Sequence, residues 1–196
     1  MPATYSELIS TFGRTASIYG GMERTVPFPP DELVKIEKDH HISFPKQYKD
    51  FATEIGGCMF IDTQDHHGAA FPWIDPIPQH ISGGVNLTPV DIMFGSELAC
   101  QEPDRLSWNI RTFYVCMPRS IVPIGNCFGN NLVCIGVDGL HSGKVYYWDA
   151  EMEPLSEADY IADYGTRPPS NYEWSNVHLV AQSFREFVSS IRFFQF

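Results

Sequence analysis

The segment Val122–Glu151, VPIGNCFGNNLVCIGVDGLHSGKVYYWDAE, decides how the rest of this chain is read. Its glycines suit either a phosphate cradle or a pair of hairpin turns. A phosphate-binding loop needs G-x-x-x-x-G-K-[ST] leading into a helix, and a dinucleotide fold needs G-x-G-x-x-G between strand and helix. Here Gly125 and Gly129 are spaced G-x-x-x-G, and NNLVCIGV follows as a strand-like run with no lysine and no helix start. No helix dipole or basic group is therefore available to hold an anion. GNCFGNN and VDGLHSG instead place Gly and Asn, which tolerate positive φ, between β-rich runs. The glycines serve turns, and the segment is a scaffold of hairpins.

Three β-rich runs make it up and one precedes it. RTFYVCM (111–117), SIVPIG (120–125), NLVCIGV (131–137) and KVYYWDA (144–150) are short, apolar and separated by turn residues. Alternation in KVYYWD sends Val145 and Tyr147 to one face and Tyr146 and Trp148 to the other. Pro123 cannot donate to a ladder, which predicts an edge position or a late start for its run.

Towards the N-terminus the period changes to that of helices. In TYSELISTFG, Tyr5, Leu8, Ile9 and Phe12 form one short stripe that Gly13 stops. A Gly-, Ser- and Pro-rich connection follows, and Pro29-Pro30-Asp31 starts a second helix with Leu33 and Ile36 inward. SFPKQYKDFATEIGG sets Phe44, Tyr48, Phe51, Ala52 and Ile55 on a single stripe. Ser43 is a candidate cap for it, Pro45 suits its first turn, and Gly56-Gly57 supplies a left-handed stop.

From Cys58 to Asn109 the pattern loosens; short strands are expected around CMFID and a short helix near SELACQE. EPLSEADYIADYGTRPPSNYEW (153–174) reads as an acidic, aromatic loop. At the end, Val180, Phe184, Phe187, Val188, Ile191 and Phe194 repeat a helical stripe. N-terminal helices, a central, mostly antiparallel multi-stranded sheet with hairpins, and a closing C-terminal helix make an α+β architecture. The length of 196 residues fits one domain, 1–196, with its core at about 30–195 behind an N-terminal helix and loop, 1–29.

Charge narrows the function. Lys and Arg number 13 against 24 Asp and Glu, a formal net charge of −11. Such a chain does not bind nucleic acid by neutralising phosphates and is repelled by an anionic membrane. It would attract a basic protein, although on composition alone the simpler reading is that the acidity keeps the chain soluble. No run approaches a membrane-spanning length, and MPATYSELIS lacks the basic flank and apolar stretch of a secretory signal. The five cysteines form no C-x-x-C pair, which fits buried thiols in a reducing, cytoplasmic setting.

These residues carry a resemblance. FPKQYKDFATEIGG is similar to the helix ending in a glycine pair near the start of SUKH-superfamily (SMI1/KNR4-like) domains. IVPIGNCFGNNLVCIGVDGLHSGKVYYWDAE resembles that superfamily's core hairpins: proline-isoleucine-glycine, an apolar strand, then glycine-lysine-valine-tyrosine and tryptophan-aspartate. SFREFVSSI resembles its closing helix. Asn130 departs from the pattern, where a second glycine is common. The resemblance implies an α+β domain that binds proteins without chemistry of its own. Many bacterial members of that superfamily look like immunity proteins that neutralise toxins, often nucleases, in the cytoplasm; others, in fungi, regulate cell-wall synthesis as scaffolds. It implies a cognate basic toxin as partner, with an endogenous protein as the alternative, and no cofactor.

Several chemistry-bearing residues accompany this pattern. His66-His67 with Asp62 and Asp65 is the best metal candidate, yet neighbouring strand side chains diverge and no H-E-x-x-H or cysteine pair supports it. His40-His41 suits the C-terminal end of the second helix. Cys127 or Cys134 with His141 is a conceivable nucleophile pair, but both thiols sit in apolar runs. Glu151 and Glu153 could serve acid–base work only in a pocket. No catalytic residue and no metal site is assigned. For binding, Asp149, Glu151, Glu153, Glu157, Asp159 and Asp163 combine with Tyr160 and Tyr164 as steering charges and anchors, and Trp73 with Asp75 is a second candidate.

Overall fold

A computed structural model describes residues 4–10, 26–59, 61–62, 67–78, 81 and 87–195. Its helices are α1 (Tyr5–Ser10), α2 (Pro30–His40), α3 (Lys46–Glu54), α4 (Leu106–Phe113), α5 (Glu157–Tyr164) and α6 (Phe184–Ser190). Its strands are β1 (Cys58–Met59), β2 (Ile61–Asp62), β3 (His67–Phe71), β4 (Thr88–Val90) and β5 (Ile92–Met93). They continue with β6 (Ile121–Asn126), β7 (Leu132–Gly136), β8 (Val145–Trp148), β9 (Val177–Ala181) and β10 (Arg192–Gln195). The fold is α+β.

The opening segment builds the centre of a six-stranded antiparallel sheet, ordered β1-β5-β6-β7-β8-β9. Both of its turns are the expected hairpin connections. Gly129 (φ 81°) and Asn130 (φ 64°) take the left-handed conformation between β6 and β7, so Asn130 does serve where a glycine is common. Gly136 ends β7 where a Cβ would run into the His141 carbonyl of the next turn, so only hydrogen fits.

Pro123 does not lie on an edge strand, contrary to expectation: β6 is flanked by β5 and β7. The reason is local. β5 is only two residues long and pairs with Gly125 and Asn126, so Pro123 lies past its end and faces one neighbour alone. A register shift between Pro123 and Gly125 absorbs the missing donor.

Alternation along β8 holds, but both faces are buried. Tyr147 meets Trp73, which follows β3, with ring centroids 4.6 Å apart. On the other face Trp148 meets Phe113 of α4 at 5.7 Å and Tyr146 meets Trp174 at 5.6 Å. A second, four-stranded sheet forms around β3, with β10 along one edge and β2 and β4 along the other.

The helical core is aromatic. Phe184 of α6 packs on Tyr48 and Phe51 of α3, each at 5.2 Å, and on Tyr5 of α1 at 6.0 Å. Edge-to-face pairs of this kind add about 0.5–1.5 kcal/mol each beyond burial. Leu33 and Ile36 are buried on α2 as the stripe required. In α3 the cap is Pro45 rather than Ser43, and the chain stops at Gly56 (φ 81°).

Other boundaries differ from the sequence reading. SELACQE forms a turn, not a helix. RTFYVCM is no strand: Arg111–Phe113 close α4 and the rest is turn, because Leu106, Asn109 and Ile110 already supply a buried helical face upstream. The closing helix is only Phe184–Ser190, started by the Ser183 hydroxyl accepting from Glu186 N at 3.2 Å. Its flanks, Val180 and Phe194, fall in β9 and β10, where sheet pairing overrides the helical spacing. Phe12 and Gly13, the connection up to residue 25, and Asp65 and His66 lie outside the described residues.

Candidate partner-binding surface

Asp149 turns inward at the end of β8 and is 1% exposed. Its Oδ1 accepts from Glu151 N at 3.0 Å, which starts the 3₁₀ turn Ala150–Met152. Asn176 Nδ2 donates to the Asp149 carbonyl at 2.8 Å, and Asp149 N donates to the Asn176 carbonyl at 2.9 Å. Asn131 links this turn to the β6–β7 tip: its Oδ1 accepts from Ala150 N at 2.8 Å and its Nδ2 donates to the Phe128 carbonyl at 3.0 Å. Asn131, Asp149 and Asn176 are buried, and these hydrogen bonds hold this end of the sheet, although Asn176 Oδ1 itself has no hydrogen-bond partner. Asp149 therefore positions the acidic segment and is not on its surface.

Glu151, Glu153, Glu157, Asp159 and Asp163 are all exposed. Most of them ride on α5, an ordered helix where a loop was expected. Ser156 caps it by accepting from Asp159 N at 3.1 Å, and Gly165 (φ 70°) ends it with its N–H on the Ile161 carbonyl at 2.9 Å. Acidic Glu157 and Asp159 in the first turn suit the helix dipole. No residue of α5 is buried. Tyr160 is half-buried only against other tyrosines, Tyr164 at 4.6 Å and Tyr172 at 4.7 Å between ring centroids. Tyr164 is 63% exposed. The Tyr172 hydroxyl accepts from Leu155 N at 3.2 Å, tying the start of the arm to its return.

The second candidate pair lies elsewhere. Trp73 is 7% exposed, stacked on His178 at 5.3 Å as well as on Tyr147, and serves the core. Asp75 is half-buried, and its Oδ2 accepts from Leu179 N at 2.8 Å, which anchors this loop to β9. The structure thus gathers the carboxylates that follow β8 and leaves Trp73 and Asp75 apart from them.

Exposed apolar side chains were not singled out in the sequence. Met152 (56%), Leu155 (40%) and Ile161 (40%) accompany the acidic arm, Val115 (86%) projects just beyond α4, and Phe128 (79%) sits on the β6–β7 tip. A large apolar residue inside a Gly/Asn turn, as in GNCFGNN, was the available signal for Phe128.

The groups weighed for chemistry are placed differently. Cys58, Cys127 and Cys134 are free and buried; burial pushes the Cys58 thiol up to about 12 and raises Cys127 and Cys134 well above the usual range. His141 stacks on Trp174 at 4.3 Å and its Nδ1 lies 2.8 Å from the Tyr146 hydroxyl, in the turn at the other end of β7 from Cys127. Among the described residues no group of three or more His, Cys, Asp or Glu could hold a metal ion. Asp62 and His67 pair across β2 and β3. A cleft of about 620 Å³ opens where α2 ends, lined by His40, His41, Tyr114, Arg119 and Asp138. His41 caps α2 at φ 54°, Arg119 lies over the Tyr114 ring at 5.4 Å, and burial holds His40 below the ordinary imidazole value.

No helix among the described residues is long and apolar enough to cross a membrane. The chain is similar to the SPbeta prophage-derived uncharacterized protein YokK of Bacillus subtilis (strain 168), at 25% identity over 165 residues, which is 82% of this chain and 73% of that protein. Residues 27–190 match the model of the SMI1 / KNR4 family (SUKH-1), and this match runs from the entry into α2, through both hairpins, to the end of α6. The chain belongs to that family, whose members are generally immunity proteins.

Proposed function

We propose that this chain is an immunity-type protein that binds a basic, nuclease-type toxin in the cytoplasm and blocks it by covering its working surface. The observation that carries this is α5: an ordered helix, capped at both ends, that buries no residue and carries Glu157, Asp159 and Asp163 in a chain of net charge −11. A helix with no core to protect is stabilised locally so that its surface can be used. Exposed carboxylates steer a basic partner at long range, and Tyr164, Met152 and Leu155 offer apolar contact area once it docks. Neutralisation of this kind needs no bond to be made or broken; it needs a complementary surface that excludes the toxin's own substrate.

The test is co-expression with any basic toxin domain found encoded beside this gene. Cells carrying both should survive, and the two chains should purify as a stoichiometric complex that weakens as salt is raised. Reversing charge with Glu153→Lys, Asp159→Lys and Asp163→Lys together should abolish protection while leaving the fold intact. Undiminished protection by that triple variant would refute the acidic-arm reading. A stable complex with a host protein only, and no protection, would favour a scaffold role on endogenous partners.

A further inference from the structure

A groove of about 440 Å³ runs between the segment following α4 and the arm that carries α5. Its walls include Val115, Pro154, Leu155, Pro168 and Tyr172, and Glu153, Glu157 and Glu173 stand on its rim. We propose that this groove receives an extended, arginine- or lysine-bearing segment of the protein partner, an inference that rests on the binding-protein reading above.

The chemistry of the walls selects that occupant. Arginine and lysine carry an apolar stem with a cationic head, and such side chains lie along apolar surface while keeping the charge in a polar setting. Proline rings and the Tyr172 face offer flat apolar surface for the stem; the rim carboxylates meet the head. The chain supplies an example of this contact: its own Arg167 places Nε 3.5 Å from the Glu157 carboxylate. Both side chains are largely exposed, so this pair is weak and displaceable.

The groove is also built in advance. Ser156 fixes the start of α5, the Tyr172 hydroxyl holds Leu155 N, and Tyr160 stacks between Tyr164 and Tyr172, so both sides of the arm are set without a partner. On the facing side the Cys116 thiol lies against Glu153; burial and this carboxylate raise its pKa, which keeps it a neutral wall. Binding to preformed walls avoids the cost of ordering a loop.

The test uses the full chain, isotope-labelled for NMR, and the peptide Gly-Arg-Ala-Arg-Ala-Arg-Gly beside its citrulline counterpart. The arginine peptide should shift amides at 115–117, 153, 155–157 and 170–173, and the uncharged peptide should shift none. Glu153→Gln with Glu173→Gln should weaken binding about 10-fold, as expected for lost charge-assisted hydrogen bonds. Asp31→Asn with Asp39→Asn removes the same charge from α2 and should leave affinity unchanged, which separates the groove from net charge. The spectra themselves report that each variant is folded.

Shifts spread over α2 or equal affinity for the citrulline peptide would overturn the proposal. So would equal losses from both double variants. A toxin complex that survives Glu153→Gln with Glu173→Gln would overturn the groove and leave the immunity reading standing. Peptide capture at the groove by a chain that protects against no toxin would support the groove and sink that reading.

Discussion

Asn131→Ala tests whether the polar network under the acidic segment is what holds it in place. The side chain satisfies Ala150 N at 2.8 Å and the Phe128 carbonyl at 3.0 Å. Truncation leaves the Ala150 amide unpaired in a largely buried site. The Phe128 carbonyl sits at an exposed tip, where water replaces the lost donor. Stranding a buried polar group costs about 1–3 kcal/mol. With an m-value of about 3 kcal/mol/M in urea for a chain of this size, the midpoint should fall by roughly 0.3–1 M. Urea titration followed by tryptophan fluorescence reads this directly, because Trp148 precedes the network. Asn131→Asp keeps an acceptor for Ala150 N but loses the donation to the Phe128 carbonyl and buries a charge, so it should be no more stable. A midpoint shift below about 0.3 M for Asn131→Ala would refute the reasoning, since it would mean that water satisfies these groups at no cost.

Other outcomes follow from the same geometry. Gly136→Ala drives a Cβ into the His141 carbonyl and should destabilise by about 3 kcal/mol or more, read as a lowered Tm and a falling soluble yield. Tyr160→Ala should loosen the arm, seen as faster amide exchange over 157–164, while the global urea midpoint moves by less than that of Asn131→Ala. Cys58, Cys127 and Cys134 should resist a thiol reagent at pH 8 in the native protein and react on unfolding; rapid native labelling of Cys134 would contradict its burial. Glu54 gives a pH test: burial raises its pKa, but the amides of Ser6 at 2.7 Å and Tyr5 at 3.2 Å outweigh this and hold it below 4.5. A depressed carboxylate contributes above its unfolded value and stops contributing as pH falls through the folded one. Docking of α1 should therefore weaken below about pH 4.5, and Glu54→Gln should remove that dependence, measured by amide exchange in α1.

Elements with one buried stripe were legible in the sequence. Leu33 and Ile36 on α2, and Tyr48, Phe51 and Ala52 on α3, show a period that only a helix against a core produces. The hairpins were legible because Gly129 and Asn130 are residues that tolerate left-handed backbone. The same logic explains what was hidden. α5 buries nothing, so it leaves no apolar period, and its only signals were the Ser156 cap and the Gly165 stop. The Val180-to-Phe194 spacing runs on from β9 through α6 into β10, and β9 and α6 both bury residues, so spacing alone does not mark where the chain becomes extended. For the surface, composition identified the acidic segment, but only the fold shows that Asp149 and Trp73 belong to the interior.

That α5 contributes no core residue has a consequence for change over time. Most substitutions are tolerated only within the margin that a protein's stability leaves, and core positions consume that margin fastest. Exposed positions from Glu157 to Tyr164 draw on it hardly at all. The arm can therefore change its surface residue by residue while the hairpins and the aromatic cluster beneath stay as they are.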